Sequence, residues 1–227
     1  MTLLALFAIA YRCVVTTSAH GREQTTVHHV VVSGSNMRVE TETDPNEGIT
    51  SDVLISNDGG KTRIAINTRN KTWFDVADMV QDLTKIPGLA PPQPKKIATS
   101  VDVASGTAKL TYVDGEMNVS YTLQAWTTDK LPAEAAFRPI QPRTNIPVVD
   151  AVWLPAIAKI TAFPMKLESV HTRQYPGGKP VTATSTAVVD QIDTNAADPP
   201  AASFKVPEGY RRQLPQIGAP GGDRQSH

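Results

Sequence analysis

The sequence predicts a mainly β protein of the α+β class, in which a single antiparallel sheet of about nine to eleven strands is accompanied by two helical segments. Two observations lead to this fold class. Most of the chain alternates apolar and polar residues between short turns rich in Gly, Asn, Asp and Ser, and the period becomes helical at only two places. No boundary between two cores is visible in the 227 residues, so we predict one domain.

The first predicted strands form hairpins. The segment VHHVVVSGSNMRVETE, residues 27–42, alternates on either side of a turn at Ser33–Asn36. The segment DVLISNDGGKTRIAI, residues 52–66, repeats the pattern around Asn57–Gly60, whose residue types tolerate positive φ. A third crossing, NTRNKTWFDV, follows at residues 67–76. Together these crossings indicate an antiparallel meander.

The meander leads into the first helical segment, which is predicted at residues 76–86. Apolar residues recur there at the spacing of one helix face: Val76, Met79, Val80, Leu83 and Ile86. Asp75 is placed to cap the N-terminus, and Pro87-Gly88 is placed to end the helix. A helix with one apolar side has to cover another apolar surface, and the sheet is the expected partner.

A second group of strands follows a proline-rich connector. In the strand Met117–Trp126, the odd-numbered residues are apolar or aromatic and the even-numbered ones are polar as far as Gln124. This alternation predicts an antiparallel sheet with one dry face and one wet face. Trp126 falls on the wet face and interrupts its polar pattern.

The second helical segment is predicted in PVVDAVWLPAIAKI, residues 147–160, where Pro155 is expected to kink the helix. Its apolar set is Val148, Val149, Val152, Trp153, Ile157 and Ile160. Two more strands, FPMKLESVHTR and PVTATSTAVVDQID, are predicted on either side of a turn at Tyr175–Gly178.

The N-terminal residues 1–19 are predicted to be a signal peptide that is cleaved after Ala19. The apolar run Leu3–Ala10 is far shorter than the ~20 residues of a membrane-spanning helix, and small residues precede the proposed cleavage point. The alternative is a buried first strand or helix. We therefore expect a folded domain at residues 20–213, a disordered tail at 214–227 and an extracytoplasmic location.

Charge and motifs exclude several classes of protein. Lys and Arg together number 22, as do Asp and Glu, so the formal net charge is zero. A protein that binds the phosphate backbone normally carries a basic excess, so we expect no nucleic-acid partner. The chain also lacks the nucleophile-elbow, phosphate-loop, dinucleotide and zinc-protease motifs. We predict that the protein is not an enzyme and needs no cofactor.

Two polar clusters invite a metal-binding interpretation. His28 and His29 are neighbours in a predicted strand, so their side chains point to opposite faces and cannot share one ion. A metal site needs three or four converging ligands, and we expect none here. Glu40, Glu42 and Asp44 form an acidic stripe. A solvated strand edge that discourages pairing is the simpler interpretation, and a cation site is the alternative.

The three tryptophans, Trp73, Trp126 and Trp153, are candidates for an apolar site. Two of them adjoin the predicted helices. Packing between helix and sheet would account for them, because buried aromatics dominate ordinary cores. The functional alternative is that their rings line an apolar cavity together with Met79, Phe163 and Met165.

Four blocks of sequence, KTWFDV, QAWTTDKLP, FPMKLESV and FKVPEGYRRQ, follow one another in the chain. In this order they resemble an uncharacterised family of bacterial exported proteins, a domain of unknown function that is similar to the LolA/LolB lipoprotein-carrier fold. The resemblance covers residues 24–213. It implies one strongly curved antiparallel half-barrel, with the meander as wall and the two helical segments across the concave face.

The resemblance also implies a function. We expect an extracytoplasmic, non-enzymatic binding protein that shelters a lipid or another apolar ligand between sheet and helices. The alternative is a cell-envelope interaction or sensor module with a packed core, an envelope protein as partner and peripheral or no membrane contact. A void of ~300 Å³ or more would favour the carrier. The expected lining residues are Trp73, Val76, Met79, Val80, Leu83, Trp126, Trp153, Phe163 and Met165.

Overall fold

The computed structural model describes residues 8–42, 51–60, 62–76, 94–132, 135–136, 144, 146–160 and 162–213. These residues form twelve strands, one α-helix and a short 3₁₀-helix. The strands are β1 Ala8–Ala19, β2 Arg22–Ser33, β3 Asn36–Thr41, β4 Val53–Ser56, β5 Ile64–Asn67, β6 Thr72–Asp75, β7 Pro94–Asp102, β8 Thr107–Asp114, β9 Met117–Thr128, β10 Phe163–Gln174, β11 Val181–Ala196 and β12 Arg211–Arg212. The helices are α1 Pro147–Ile157 and the 3₁₀-helix Ala201–Phe204.

All twelve strands belong to one open, curved sheet with the order β12-β6-β5-β4-β3-β2-β1-β11-β10-β9-β8-β7. Neighbours in the sheet are antiparallel, except that β12 runs parallel to β6. The mainly β prediction is confirmed, and the predicted nine to eleven strands are corrected to twelve. The additional strands are β1, which was expected to lie in a signal peptide, and the two-residue β12.

The described residues include one of the two predicted helical segments as an α-helix, namely the second. The segment predicted at 76–86 lies outside the described residues beyond Val76, and so does the tail at 214–227. Helix α1 confirms the second segment, and it continues for two residues beyond Pro155. No helix in the described part of the chain is long and apolar enough to cross a bilayer.

The N-terminal segment is the main correction to the predicted domain boundaries. Ala8–Ala19 is the strand β1 at the centre of the sheet, where it pairs with β2 on one side and β11 on the other. Tyr11 and Cys13 are buried in the core, with 3% and 1% of their surface exposed. The folded domain therefore includes residues 8–19, which were predicted to precede it. A short apolar stretch has the same composition in a signal peptide and in a buried strand. Only the strands that pair with it in the folded protein distinguish the two.

The sheet has a core face and an outer face. Alternation along β9 puts Val119, Leu123 and Ala125 on the core face, and they are buried there as predicted. Helix α1 packs on this face against β7 and β8 through Val149 and Trp153. Two residues of the predicted apolar set, Val148 and Val152, are instead 51% and 41% exposed. The helix thus buries a narrower face than its apolar spacing predicts.

A second, smaller cluster lies on the outer face at the other end of the sheet. Val53, Ile55 and Ile66 are buried there, and Trp73 and Tyr210 pack against them. The C-terminal segment 197–213 reaches this face through a hydrogen bond from Arg38 to the Ser203 carbonyl, 2.8 Å long, and through buried Phe204. It ends as β12 beside β6. The closing sequence block therefore packs onto the strand formed by the KTWFDV block.

Candidate functional site

The core face beneath α1 is closely packed. Trp153 and Phe163 are 1% and 0% exposed, and Met165 packs against the same cluster. The Tyr11 ring meets the Phe163 ring edge-on, with centroids 5.4 Å apart, and its hydroxyl donates a 2.8 Å hydrogen bond to the Ala135 carbonyl. In the described residues this region is a filled core.

Farther along the same face, β1, β11 and β10 carry a patch of small side chains, with Gln24 and Arg22 of β2 on one side and His171 of β10 on the other. Thr17 faces Ser185 across the β1–β11 pair, Ala19 faces Ala183, and Ser169 lies beside Ser185 on β10. Unlike the residues under the helix, none of these is fully buried. We call this surface the small-residue floor, and it consists of Val15, Thr17, Ala19, Ser169, Ala183 and Ser185.

An aromatic pair borders the floor on the β9–β10 side. The rings of Tyr121 and His171 stack with centroids 4.1 Å apart and planes 12° from parallel. Arg173 Nε donates a hydrogen bond to His171 Nε2 over 3.4 Å. Burial lowers the pKa of His171 to about 4, and the positive charge of Arg173 adds to the shift. The imidazole is therefore neutral near pH 7 and accepts this bond.

On the opposite side of the face, Cys13 and His28 are cross-strand neighbours. Burial raises the pKa of the Cys13 thiol to about 12, and the Asp190 carboxylate contributes to the rise. Burial also lowers the pKa of His28 to about 4, with a smaller effect from His29. Nucleophilic chemistry needs a thiolate, so this pair is suited to packing and not to catalysis.

The polar clusters singled out in the sequence have separate partners. His28 Nδ1 lies 3.0 Å from the Thr41 hydroxyl on the core face, whereas His29 Nε2 lies 2.7 Å from the Glu42 carboxylate on the outer face. The two histidines therefore do point to opposite faces. Glu40 pairs with Arg38 at 2.7 Å, and Asp44 lies outside the described residues. No group of three metal-ligating side chains occurs among the residues that are described.

The expected lining residues do not form one site. Trp153, Phe163 and Met165 come together in the core. Trp126 lies on the outer face, 44% exposed, and Lys166 Nζ is 4.6 Å from its ring centroid. Trp73 also lies on the outer face, in the second cluster, with the Arg212 guanidinium 5.4 Å from its ring.

The prediction that all three tryptophans line one cavity is therefore wrong for Trp73 and Trp126. Trp73 is directly adjacent to core-facing Phe74, and Trp126 is directly adjacent to core-facing Ala125. Strand alternation therefore turns both tryptophans outward. Val76 is half-buried at the end of the described segment, and Met79, Val80 and Leu83 lie outside it.

The sequence reasoning missed the residues that border the floor. His171 and Arg173 alternate with Val170 and Thr172 in a predicted strand, and Tyr121 belongs to the predicted dry face of β9, where it is one aromatic among apolar residues. The register of β9 against β10 pairs Tyr121 with His171. The sequence does contain a signal for the floor itself. Ala183, Ser185 and Ala187 occupy every second position of β11, and small residues at this spacing indicate a strand face without large packed side chains.

Comparisons with known proteins come from solved structures. A scan against protein-family models gives no match, and neither does a search of the curated proteins. The chain is similar to a LolA superfamily protein from Nitrosomonas europaea, with 9% identity, coverage of 89% of this chain and 91% of that chain, and a TM-score of 0.40. It is also similar to a DUF1329 family protein from Desulfovibrio piger, with 5% identity, 89% and 91% coverage, and a TM-score of 0.37.

A third similar structure is HpuA from Kingella denitrificans, solved in complex with human haemoglobin. Its identity is 6%, with coverage of 86% of this chain and 46% of that chain and a TM-score of 0.24.

Proposed function

We propose that this protein is an extracytoplasmic, non-enzymatic binding protein that holds a lipid or other apolar ligand on the core face of its sheet. One observation carries the proposal: α1 packs against β7 and β8, while the core face of β1, β11 and β10 continues beyond it as the small-residue floor. The extracytoplasmic location rests on the resemblance to exported proteins.

The floor has the chemistry of a surface for an extended apolar chain. Ala, Ser and Thr side chains leave room above the strands, and Val15 and Ala183 present methyl groups to it. Each methylene taken out of water contributes about 0.8 kcal/mol, so about ten of them contribute ~8 kcal/mol before the costs of binding. A net free energy of that size would correspond to a Kd near ~1 μM, so ~1 μM is the upper limit of the affinity that ten methylenes supply, and the costs of association lower it.

The alternative is an envelope interaction or sensor module without a small-molecule ligand. The filled core around Trp153 and Phe163 favours this second function, since the tryptophan predicted to line a cavity is 1% exposed. A concavity of about 330 Å³ lies at β7–β10, where Tyr112, Val113 and Val119 line it together with six polar residues. It is on the outer face, away from the small-residue floor and from the core under α1.

A pair of tryptophan substitutions on β11 distinguishes the two functions. Ala183→Trp fills the floor, whereas Thr184→Trp, one residue along the same strand, projects from the outer face and serves as the matched control. We expect wild type and Thr184→Trp to bind a fluorescent fatty-acid probe and Ala183→Trp to lose binding. Mass spectrometry of lipid extracted from gently purified protein identifies the natural ligand.

The outcomes separate the hypotheses. Absence of probe binding and of extracted lipid in the wild type would reject the carrier and leave the interaction module. Equal binding by both tryptophan variants would place the ligand somewhere other than the floor. Circular dichroism of each variant checks that the sheet has folded.

A further inference from the structure

The outer face of β7–β10 contains the concavity of about 330 Å³, on the side opposite to the small-residue floor. Cross-strand register places Thr111, Ser120 and Thr172 side by side on three adjacent strands. The concavity is lined by six polar residues and three apolar or aromatic ones: Lys96, Thr111, Asn118, Ser120, Thr172 and Gln174, with Tyr112, Val113 and Val119.

These polar side chains retain most of their hydrogen-bonding capacity. Thr172 lies 3.3 Å from the Thr182 hydroxyl, and the other five side chains make no hydrogen bond or ion pair to the described residues. No carboxylate belongs to the described lining. Hydroxyls and amides both donate and accept, whereas an ammonium group only donates. The lining therefore suits a ligand that is rich in hydroxyls and carries a negative charge.

The backbone places Lys96 at this site at a conformational cost. Its φ is +53°, in the left-handed region that side chains with a Cβ disfavour. It lies in a β-bulge, where the pairing of β7 with β8 shifts between Lys95 and Ala98. The bulge lets Ile97 pack against the core cluster while Lys96 lines the concavity. Bulges that redirect a side chain and strained backbone positions both concentrate at functional sites.

The concavity is one end of a longer polar strip along β9. The even-numbered residues from Asn118 to Trp126 share the outer face, and eight strand steps span about 26 Å. Trp126 lies at the far end with 44% of its surface exposed. An exposed indole offers an apolar ring and a polar N–H group. Tryptophan is common at binding interfaces for this reason, since it can contact apolar and polar groups of a ligand at once.

Charge on this part of the face is not balanced. The cationic residues on the outer face of β7–β10 are Lys95, Lys96, Lys109 and Lys166, and the anionic ones are Glu168 and Asp102. Glu168 is paired with Lys166 at 2.6 Å, and Asp102 accepts hydrogen bonds from the Ala104 and Ser105 amides. On the outer face of these strands, four lysines against two carboxylates leave an excess of two positive charges, although the whole chain is neutral. Asp114 at the end of β8 and Glu116 in the following turn lie near the same end of the strands as the concavity.

We propose that the outer face of β7–β10 binds an acidic polysaccharide, with Lys96 contacting a sugar carboxylate in the concavity and the hydroxyl and amide side chains contacting ring hydroxyls. The site lies on the face opposite to the proposed apolar ligand, so it adds a second binding activity. An anionic membrane is the competing partner. The concave shape and the hydroxyl side chains of the lining favour the saccharide, since a flat bilayer surface would meet the rim of the concavity and not its lining residues.

The test compares two substitutions at lysines with nearly the same backbone conformation. Lys96→Asn removes the charge at φ +53°, and Lys71→Asn does the same at φ +52° in the turn before β6. Asparagine tolerates this region, so both variants are expected to fold. The ligand is a polygalacturonate oligomer, its fully methyl-esterified form is the neutral control, and vesicles of phosphatidylglycerol with phosphatidylcholine are the membrane control.

We expect calorimetry to show binding of polygalacturonate that weakens as ionic strength rises. Lys96→Asn should lower the affinity about tenfold or more, the effect of losing one charge-assisted hydrogen bond, and Lys71→Asn should leave it unchanged. The affinity of the wild-type protein for the methyl ester should be no higher than the affinity of the Lys96→Asn variant for polygalacturonate. The proposal is overturned if wild type fails to bind polygalacturonate, if it binds the ester equally well, if both asparagine variants lose affinity alike, or if it binds the vesicles alone.

Discussion

The most informative test of the fold concerns Tyr11, which lies in the segment that the sequence assigned to a signal peptide. The side chain is 3% exposed. Its hydroxyl donates to the buried Ala135 carbonyl over 2.8 Å, and its ring meets Phe163 edge-on. Substitution at this one position therefore tests a hydrogen bond, an aromatic contact and the place of β1 in the core.

Two substitutions separate these contributions. Tyr11→Phe keeps the ring and leaves the Ala135 carbonyl without this partner, so we expect a loss of about 1–3 kcal/mol. Tyr11→Ala also removes the ring, and large aromatic-to-alanine changes in cores cost about 3–5 kcal/mol. For a domain of this size, each kcal/mol lowers Tm by about 2–4 °C, so Tyr11→Ala should lower it by about 6–20 °C.

The assay is urea unfolding followed by tryptophan fluorescence, with Ser18→Ala as the control within the same strand. Ser18 lies on the outer face of β1, and its substitution should change stability by less than ~0.5 kcal/mol. A protein lacking residues 1–19 should fail to unfold cooperatively. The reasoning is refuted if Tyr11→Ala unfolds at the wild-type urea concentration, or if the shortened protein keeps the full unfolding free energy.

Two further predictions concern a tight turn and a half-buried imidazole. Gly106→Ala should destabilise the protein more than Gly115→Ala. Both glycines have positive φ, so both substitutions introduce backbone strain of about 1–2 kcal/mol. A Cβ at Gly106 would in addition lie 2.5 Å from the Ala125 carbonyl oxygen, whereas a Cβ at Gly115 would meet no atom. Thermal denaturation measures the difference, and equal losses of stability would contradict the close approach at Gly106. His171 is held neutral in the folded state with a pKa of about 4 against an ordinary 6.5, so the unfolded chain takes up more protons and stability falls as pH decreases through that window. The His171→Gln variant should show a smaller fall in urea-unfolding free energy from pH 7 to pH 4, and an unchanged slope would show that the imidazole is not held neutral by burial.

The sequence alone determined which residues share a face within each strand. Side chains alternate with a period of two whatever the neighbouring strand is, so β9 could be divided correctly into Val119, Leu123 and Ala125 on one face and Trp126 on the other. The hairpin turns were predictable for the same local reason. Gly34 and Gly115 adopt positive φ between paired strands, a conformation that glycine accepts at little cost.

Tertiary structure decided which strands are neighbours and what each face contacts. Alternation does not specify a partner. Nothing local therefore indicates that β1 pairs with β11, whose partner residues are 164 to 188 positions away along the chain, or that β12 joins β6 in parallel. The same limit explains the separation of Trp73 and Trp126 from Trp153. An apolar side chain has a similar sequence signature whether it lies under a helix, under the C-terminal segment or beside a lysine, because burial depends on long-range packing that the local pattern does not encode.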